Sequence, residues 1–190
     1  MDTPTDSAPP VPAPATLSIK RAWAWLRARW YRRWAFDLLF IAVIFWAVGR
    51  YQARNLLDDD VAAPAFSLRG LDGKDHALSD YRGKVVVLQF FAPWCTVCRV
   101  ESDNWARIQG IHSDEVQVLA IALSYENVQS VVEFMGDDLG AYPVLLGNDQ
   151  TRQAYRIESF PTHYILDKDG RITSQSAGYT TTLGYLMRLL

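Results

Sequence analysis

The chain has 190 residues with a formal charge of −2, 49% of them hydrophobic and 21% charged, a balance that supplies a packed core and excludes wholesale disorder. Its two cysteines exclude a multi-disulfide scaffold and a four-cysteine zinc site. Residues 1–57 hold eight Lys/Arg and three Asp/Glu, a net of +5, whereas residues 58–190 hold eleven and eighteen, a net of −7; the acidic part has nothing to offset phosphate repulsion, so no nucleic-acid partner is expected.

Residues 4–14 carry five of the nine prolines and read as an extended, solvated tail. A basic aromatic stretch follows, with Lys20, Arg21, Trp23, Trp25, Arg27, Arg29, Trp30, Arg32 and Arg33, and residues 38–48 are then all apolar. As a helix, residues 34–51 would be about 27 Å long at 1.5 Å per residue, just short of a ~30 Å hydrocarbon core. Flanking Trp and Tyr suit the interface, and Arg side chains snorkel. The stretch reads as a single transmembrane anchor. Two other readings stay open: a cleaved secretory signal, with Ala47-Val48-Gly49 as a small-x-small site but an overlong n-region, and a buried or amphipathic helix. Six positive charges lie from Lys20 to Arg33, and only Arg50 and Arg54 follow the span before Asp58, Asp59 and Asp60. The positive-inside rule places the N-terminus in the cytoplasm and residues 58–190 outside it. The expected organisation is a cytoplasmic tail (1–33), an anchor (34–51), a linker (52–61) and one domain (62–190).

In the domain, residues 64–68 open a strand and Asp72-Gly73 marks a turn. Residues 78–84 form a polar connection. Residues 85–91 are apolar except Gln89 and read as a buried central strand. A helix is expected over 96–109, a second buried strand over 116–123, a helix over 128–135 and a short strand over 143–146. A short helix follows over 151–155. Strands over 162–166 and 172–177 are joined at Asp169-Gly170, a hairpin signal, and a helix closes the chain over 180–190. Alternating strands and helices followed by a hairpin predict an α/β domain with a mixed sheet flanked by helices.

Trp94-Cys95-Thr96-Val97-Cys98 follows the central strand and opens a helix. Three readings of the pair compete: a structural disulfide, a Cu(I)- or Zn-binding loop, and a redox-active dithiol. A loop this short restrains little chain entropy, which weakens the first. No second C-x-x-C exists, and His76, His112 and His163 form no pair at ligand spacing, which weakens the second. A helix N-terminus stabilises a thiolate at Cys95 through its dipole and free N–H groups, which favours the third. A thiol peroxidase would need a P-x-x-x-T-x-x-C setting, and none surrounds Cys95.

Three segments together carry a family resemblance. Val85-Val86-Val87-Leu88-Gln89-Phe90-Phe91-Ala92-Pro93-Trp94-Cys95-Thr96-Val97-Cys98 resembles the active-site strand and turn of thioredoxin-fold proteins. Leu78-Ser79-Asp80-Tyr81-Arg82-Gly83-Lys84 resembles the segment before that strand in the membrane-anchored TlpA/ResA/DsbE branch. Phe160-Pro161-Thr162-His163-Tyr164-Ile165-Leu166 and the following Asp167-Lys168-Asp169-Gly170-Arg171-Ile172 resemble its cis-proline strand and hairpin. The similarity spans residues 62–190. The Cys-Thr-Val-Cys motif and the long tail are most similar to the suppressor-of-copper-sensitivity D type of protein disulfide oxidoreductase.

The resemblance implies a thioredoxin-like fold behind an N-terminal transmembrane helix, in a bacterial inner membrane with the domain in the periplasm. It implies an exposed attacking thiolate at Cys95, a resolving thiol at Cys98, Trp94 beside the disulfide, and a cis Pro161 facing it. Proline contributes no N–H, which leaves the backbone of Phe160 free to pair with an extended substrate; Thr162 follows as in the family. No cofactor or metal is implied. The partners implied are protein thiol and disulfide clients and a transmembrane electron donor, with the domain acting as a reductant. Copper handling and cytochrome c maturation are the alternative roles. Three departures matter. Gln89 stands where many thioredoxins carry a buried acid, Val97 replaces the proline or histidine common before the second cysteine, and Ser159 stands where glycine is common. Glu101 matches the branch's C-x-x-C-x-x-E pattern and lies on the helical face of Cys98. It reads either as a base for Cys98 or as a solvated helix charge.

Overall fold

The computed structural model describes residues 34–44, 46–49, 51, 54–111 and 114–189. Two compact units divide the chain at Trp46/Ala47. In the first, residues 34–44 are helical, and Phe36, Leu38, Leu39 and Phe40 are exposed. Where the sequence predicts a spanning helix over 34–51, no helix among the described residues is long and apolar enough to cross a membrane. Residues 45 and 50 and the tail 1–33 lie outside the described residues.

The second unit is built on one seven-stranded sheet. Its strands are β1 (Ser67–Gly70), β2 (Asp75–Ala77), β3 (Val85–Phe91), β4 (Val116–Ala122), β5 (Val144–Leu146), β6 (Thr162–Leu166) and β7 (Ile172–Ala177). Their order is β2-β1-β5-β4-β3-β6-β7. The inner strands β3, β4 and β5 run parallel. β6 is antiparallel to β3 and to β7, and β1 is antiparallel to β5 and β2. β3 and β4 are apolar runs interrupted only at Gln89 and Gln117, because both of their faces are covered. The helices are α1 (Thr96–Ile111), α2 (Val128–Met135), α3 (Asp149–Ala154) and α4 (Thr182–Leu189). The 78–84 connection contains a 3-10 turn, Leu78–Tyr81. α2 and α3 start where Asn127 and Asn148 side chains accept the N–H groups of Ser130 and Thr151, both at 2.9 Å, as N-caps do.

Alternation along the strands sorts side chains to two faces. Val87 and Phe91 point to the side packed by Trp105 and Ile108 of α1, Phe134 of α2 and Tyr185 of α4. Phe91 stacks on Phe134 with ring centroids 4.6 Å apart. Leu88 and Phe90 point to the other side, where Tyr155, Ile157 and Tyr164 pack. There Phe90, Tyr155 and Tyr164 meet pairwise at 5.0–6.1 Å, in the tilted and edge-on geometries aromatic pairs prefer.

The segment preceding Ala63, which reads as a linker, is docked onto this second face. Leu56 is buried in its core, and the Asn55 amide donates to Glu158 at 3.1 Å. The Leu57 N–H donates to the Tyr164 hydroxyl at 3.2 Å, and that hydroxyl donates to the Tyr155 carbonyl at 2.7 Å. Residues 60–63 then run along the 170–172 backbone: Asp60 N–H donates to Ile172 O at 2.7 Å and Ile172 N–H to Val61 O at 2.9 Å. Arg171 closes the strap with an ion pair to Asp60 at 2.8 Å. Leu56, Leu57, Val61 and Ala62 follow neither a helical nor a strand period across the three aspartates, which is why the sequence reads as a free linker.

Candidate active site

β3 ends at Phe91, and the chain turns through Ala92-Pro93-Trp94 into α1. The Cys95 N–H donates to the Ala92 carbonyl at 3.0 Å, which closes the turn. Cys95 stands just before the helix, and the Cys98 N–H donates to its sulfur at 3.1 Å. A sulfur in this capping position takes up one of the unpaired N–H groups of the first turn, and once reduced it holds its negative charge at the positive end of the helix.

Cys95 and Cys98 form a disulfide. Cys98 is 0% exposed and Cys95 7%. The expected exposed position of Cys95 is thereby corrected. Cys95 packs with Phe91, Ala92 and Cys98 in the core on the α1 side, so only a small part of it reaches solvent. Of the two, that accessible part belongs to Cys95 alone. Trp94 is 67% exposed. Its indole N–H donates to the Ser124 carbonyl at 3.0 Å, and its ring meets Phe160 edge-on at 5.7 Å. Trp94 and Phe160 therefore form one aromatic wall joining the turn before Cys95 to the loop before β6. The Phe160–Pro161 peptide bond is cis. Pro161 and Thr162 are buried, and the Thr162 hydroxyl donates to the Ser159 carbonyl at 2.8 Å. That bond runs from the position after the proline to the serine that replaces glycine.

Glu101 is 0% exposed, which removes the solvated-charge reading. It lies one turn after Cys98 on α1. Its Oε1 accepts the Thr180 N–H at 2.9 Å and the Tyr185 hydroxyl at 2.8 Å. Its Oε2 is buried and has no partner among the described residues. Burial pushes its proton affinity up to about 7, against the pull of the two donors and of the Arg188 charge. Desolvation of a carboxylate acts in this direction. Glu101 thus sits where a carboxyl group can exchange a proton near neutrality.

Three residues behind Glu101 escaped the sequence reading as a group. Gln89 on β3 lies directly opposite His163 on β6. Both side chains point to the α1 side of the sheet, where the His163 Nδ1 contacts the Gln89 amide and lies 3.0 Å from the Tyr185 hydroxyl of α4. Burial drives the His163 imidazole down to about 4, so it is neutral at ordinary pH. A polar residue interrupting each of two buried strands, at Gln89 and at His163, was the available signal. Their pairing with Tyr185, 96 residues from Gln89, has no local trace.

The comparisons agree with this geometry. The AhpC/TSA family matches residues 60–175. The thioredoxin-like protein YneN of Bacillus subtilis is 31% identical over 158 residues, spanning 79% of this chain and 92% of its own. The thiol-disulfide oxidoreductase ResA of Geobacillus thermodenitrificans is 32% identical over 123 residues, spanning 63% and 69%. The crystal structure of the exposed lipoprotein thioredoxin Etrx1 of Streptococcus pneumoniae superimposes with a TM-score of 0.61 at 29% identity, covering 66% of this chain and 98% of that one. With a disulfide at the mouth of α1, a cis proline before β6 and relatives of this kind, the chain belongs to the AhpC/TSA family, as one of its thioredoxin-like thiol–disulfide oxidoreductases.

Proposed function

We propose that the domain is tethered to a membrane by residues 34–51 and exchanges disulfides with extracytoplasmic proteins, acting as a reductant. The observation that carries the exchange reading is the asymmetry of the pair. Cys95 keeps the accessible surface and the capping position, while Cys98 is enclosed one turn from a buried carboxyl group. In the reducing direction the Cys95 thiolate attacks a client disulfide and a mixed disulfide forms. Cys98 then attacks Cys95, releases the client thiol and restores the Cys95–Cys98 bond. Clients pair with the backbone near Phe160 and Pro161 and rest on the wall of Trp94 and Phe160. A transmembrane electron donor returns the pair to the dithiol. Support for the reducing direction comes from the resemblance to the TlpA/ResA/DsbE branch, where copper-site proteins and apocytochrome c are among the clients.

The deciding measurement is the redox state of the Cys95/Cys98 pair trapped in living cells. A mostly reduced pair is expected, and a mostly oxidised pair would make the protein an oxidant. Purified reduced protein is expected to reduce a disulfide-bonded peptide, and loss of this activity in Cys95→Ala is the control.

Tethering rests on the exposed apolar residues Phe36, 38–41 and 43–44 and on the basic charge before them. Because it confines the domain near membrane partners, it raises its effective concentration for them. A reporter active only outside the cytoplasm, fused after Leu190, is expected to be active, with the full-length chain in the membrane fraction. A soluble protein beginning near Arg50 would replace the anchor by a cleaved signal.

A further inference from the structure

We propose that Tyr185 is a positioning residue for the exchange reaction: its hydroxyl, aimed by Gln89 and His163, occupies Glu101 Oε1 and leaves Oε2 as the oxygen that takes the proton of Cys98. The inference rests on the exchange reading above and deepens it.

The direction of the hydrogen bonds follows from counting donors. His163 Nε2 lies 2.9 Å from the Gly178 carbonyl, which can only accept, so Nε2 carries the proton. A neutral imidazole then has a bare Nδ1, which needs a donor. Two groups face it, the Gln89 amide and the Tyr185 hydroxyl at 3.0 Å; the hydroxyl has one proton and lies closer to Glu101 Oε1, at 2.8 Å, which leaves Gln89 as the donor to Nδ1. A half-turn of that amide, which exchanges its oxygen and nitrogen, presents N–H to Nδ1. The same NH2 group then donates to the Tyr185 oxygen, 3.2 Å away. With its lone pair engaged, the Tyr185 hydroxyl directs its proton to Glu101 Oε1 at 2.8 Å. Glu101 Oε1 then holds two donors, from Thr180 and Tyr185, and Oε2 is buried with no partner among the described residues. Gln89, in the position where many thioredoxins have an acid, thus starts a donor chain that ends on an acid elsewhere.

In the mixed disulfide, Cys98 is a thiol and Glu101 a carboxylate. Oε2 takes the Cys98 proton, and the Cys98 sulfur attacks Cys95 Sγ. The Cys95–Cys98 bond forms and the bond from Cys95 to the client sulfur breaks. The client leaves as a thiolate that takes a proton from water. The client gains two electrons and the dithiol loses two. Throughout, Tyr185 stays on Oε1, so the proton can only arrive at the other oxygen.

The ionisable groups around Glu101 are Cys98 on its own helix, His163 from β6, with Nε2 3.4 Å from Oε1, and Tyr185 and Arg188 from α4. Tyr185→Phe removes one hydrogen-bond donor and keeps the ring that packs edge-on to His163 at 5.5 Å. Losing a donor to a carboxylate raises its proton affinity. The acid limb of the rate–pH profile for release of a client peptide should therefore move up by about one to two pH units. At pH 7 this corresponds to a roughly 5- to 50-fold slower release, with the two profiles converging at alkaline pH. In a Glu101→Gln background, Tyr185→Phe should change nothing further. A uniform rate loss with an unmoved limb would reduce Tyr185 to packing and overturn the proposal, as would an equal effect of Tyr185→Phe with and without Glu101. Absence of exchange in the wild-type protein would instead strike the exchange reading itself.

Discussion

Cys98→Ala is expected to convert the protein from a catalyst into a trap. Cys95 remains accessible and capped by the first turn of α1, so it still attacks client disulfides. With no thiol behind it, the mixed disulfide has no intramolecular route to resolution. Turnover should fall to background, and up to one client per protein should be recovered as a disulfide-linked adduct that a reductant dissolves. Cys95→Ala should lose turnover equally and trap nothing. The thiol it leaves, Cys98, is 0% exposed within the α1-side core, and a client sulfur cannot approach it in line without opening the helix. Gel electrophoresis with and without reductant, after incubation with a disulfide-bonded client, separates the two variants. Equal adduct formation by both would mean that Cys98 is reachable, and the assignment of attacking and resolving sulfurs would fail. The small surface left to Cys95 sharpens the test. An attacking cysteine that is 7% exposed in the disulfide form admits a client along a narrow path, so compact folded proteins without a protruding disulfide should react far more slowly than extended peptides.

Much of this site is legible in the chain. A continuous apolar run ending in Phe90-Phe91, followed by Trp94-Cys95, already places the sulfur at the end of a central strand and the start of a helix. The strands over 162–166 and 172–177 lie where Asp169-Gly170 demands them, because turn chemistry and alternation act locally. What the chain hides is tertiary. Asn55 and Leu57 look like part of a linker until Glu158 and Tyr164 are placed beside them. Glu101 looks like any helix carboxylate until α4 closes over it. His163 belongs to no metal-ligand spacing, and its real partners, Gln89 and Tyr185, come from β3 and α4. Cys95 is less accessible than a capping position suggests, since accessibility depends on what the neighbouring core residues cover. Apart from the cover that Phe91 and Ala92 give Cys95, these features arise from contacts more than twenty residues apart, and no periodicity reports them.

Glu101→Gln is expected to separate catalysis from stability, moving them in opposite directions. Glutamine keeps a carbonyl oxygen where Thr180 N–H and the Tyr185 hydroxyl donate, so the local packing persists. What it loses is the ability to take a proton. Resolution requires Cys98 to ionise while enclosed, and burial holds a thiol's proton on. A positioned base accelerates such a step by roughly 10²–10⁴-fold, and this is the slowing expected at pH 7 to 8. In the wild type the rate should climb through about pH 7 as Glu101 ionises. In the variant that limb should be missing, and the gap should narrow at high pH as thiols ionise unaided. Stability carries the opposite sign. The folded protein holds the Glu101 proton up to about 7, whereas a solvated glutamate releases it near 4.5. Its contribution is therefore complete below pH 4.5 and is lost as pH rises through 7. His163, lowered from 6.5 to about 4, contributes stability above pH 6.5 that is lost as pH falls towards 4. Removing the carboxyl group removes only the first of these. The variant should therefore gain stability relative to the wild type between pH 5 and 8, in the range where its exchange activity falls behind. Stopped-flow reduction of a disulfide peptide and thermal unfolding, each measured from pH 5 to 9, test both halves. Superimposable rate–pH profiles would leave Glu101 as a buried structural acid, and a variant that loses stability relative to the wild type as pH rises would mean that the wild-type Glu101 carboxylate is better solvated by Thr180 and Tyr185 than its burial implies.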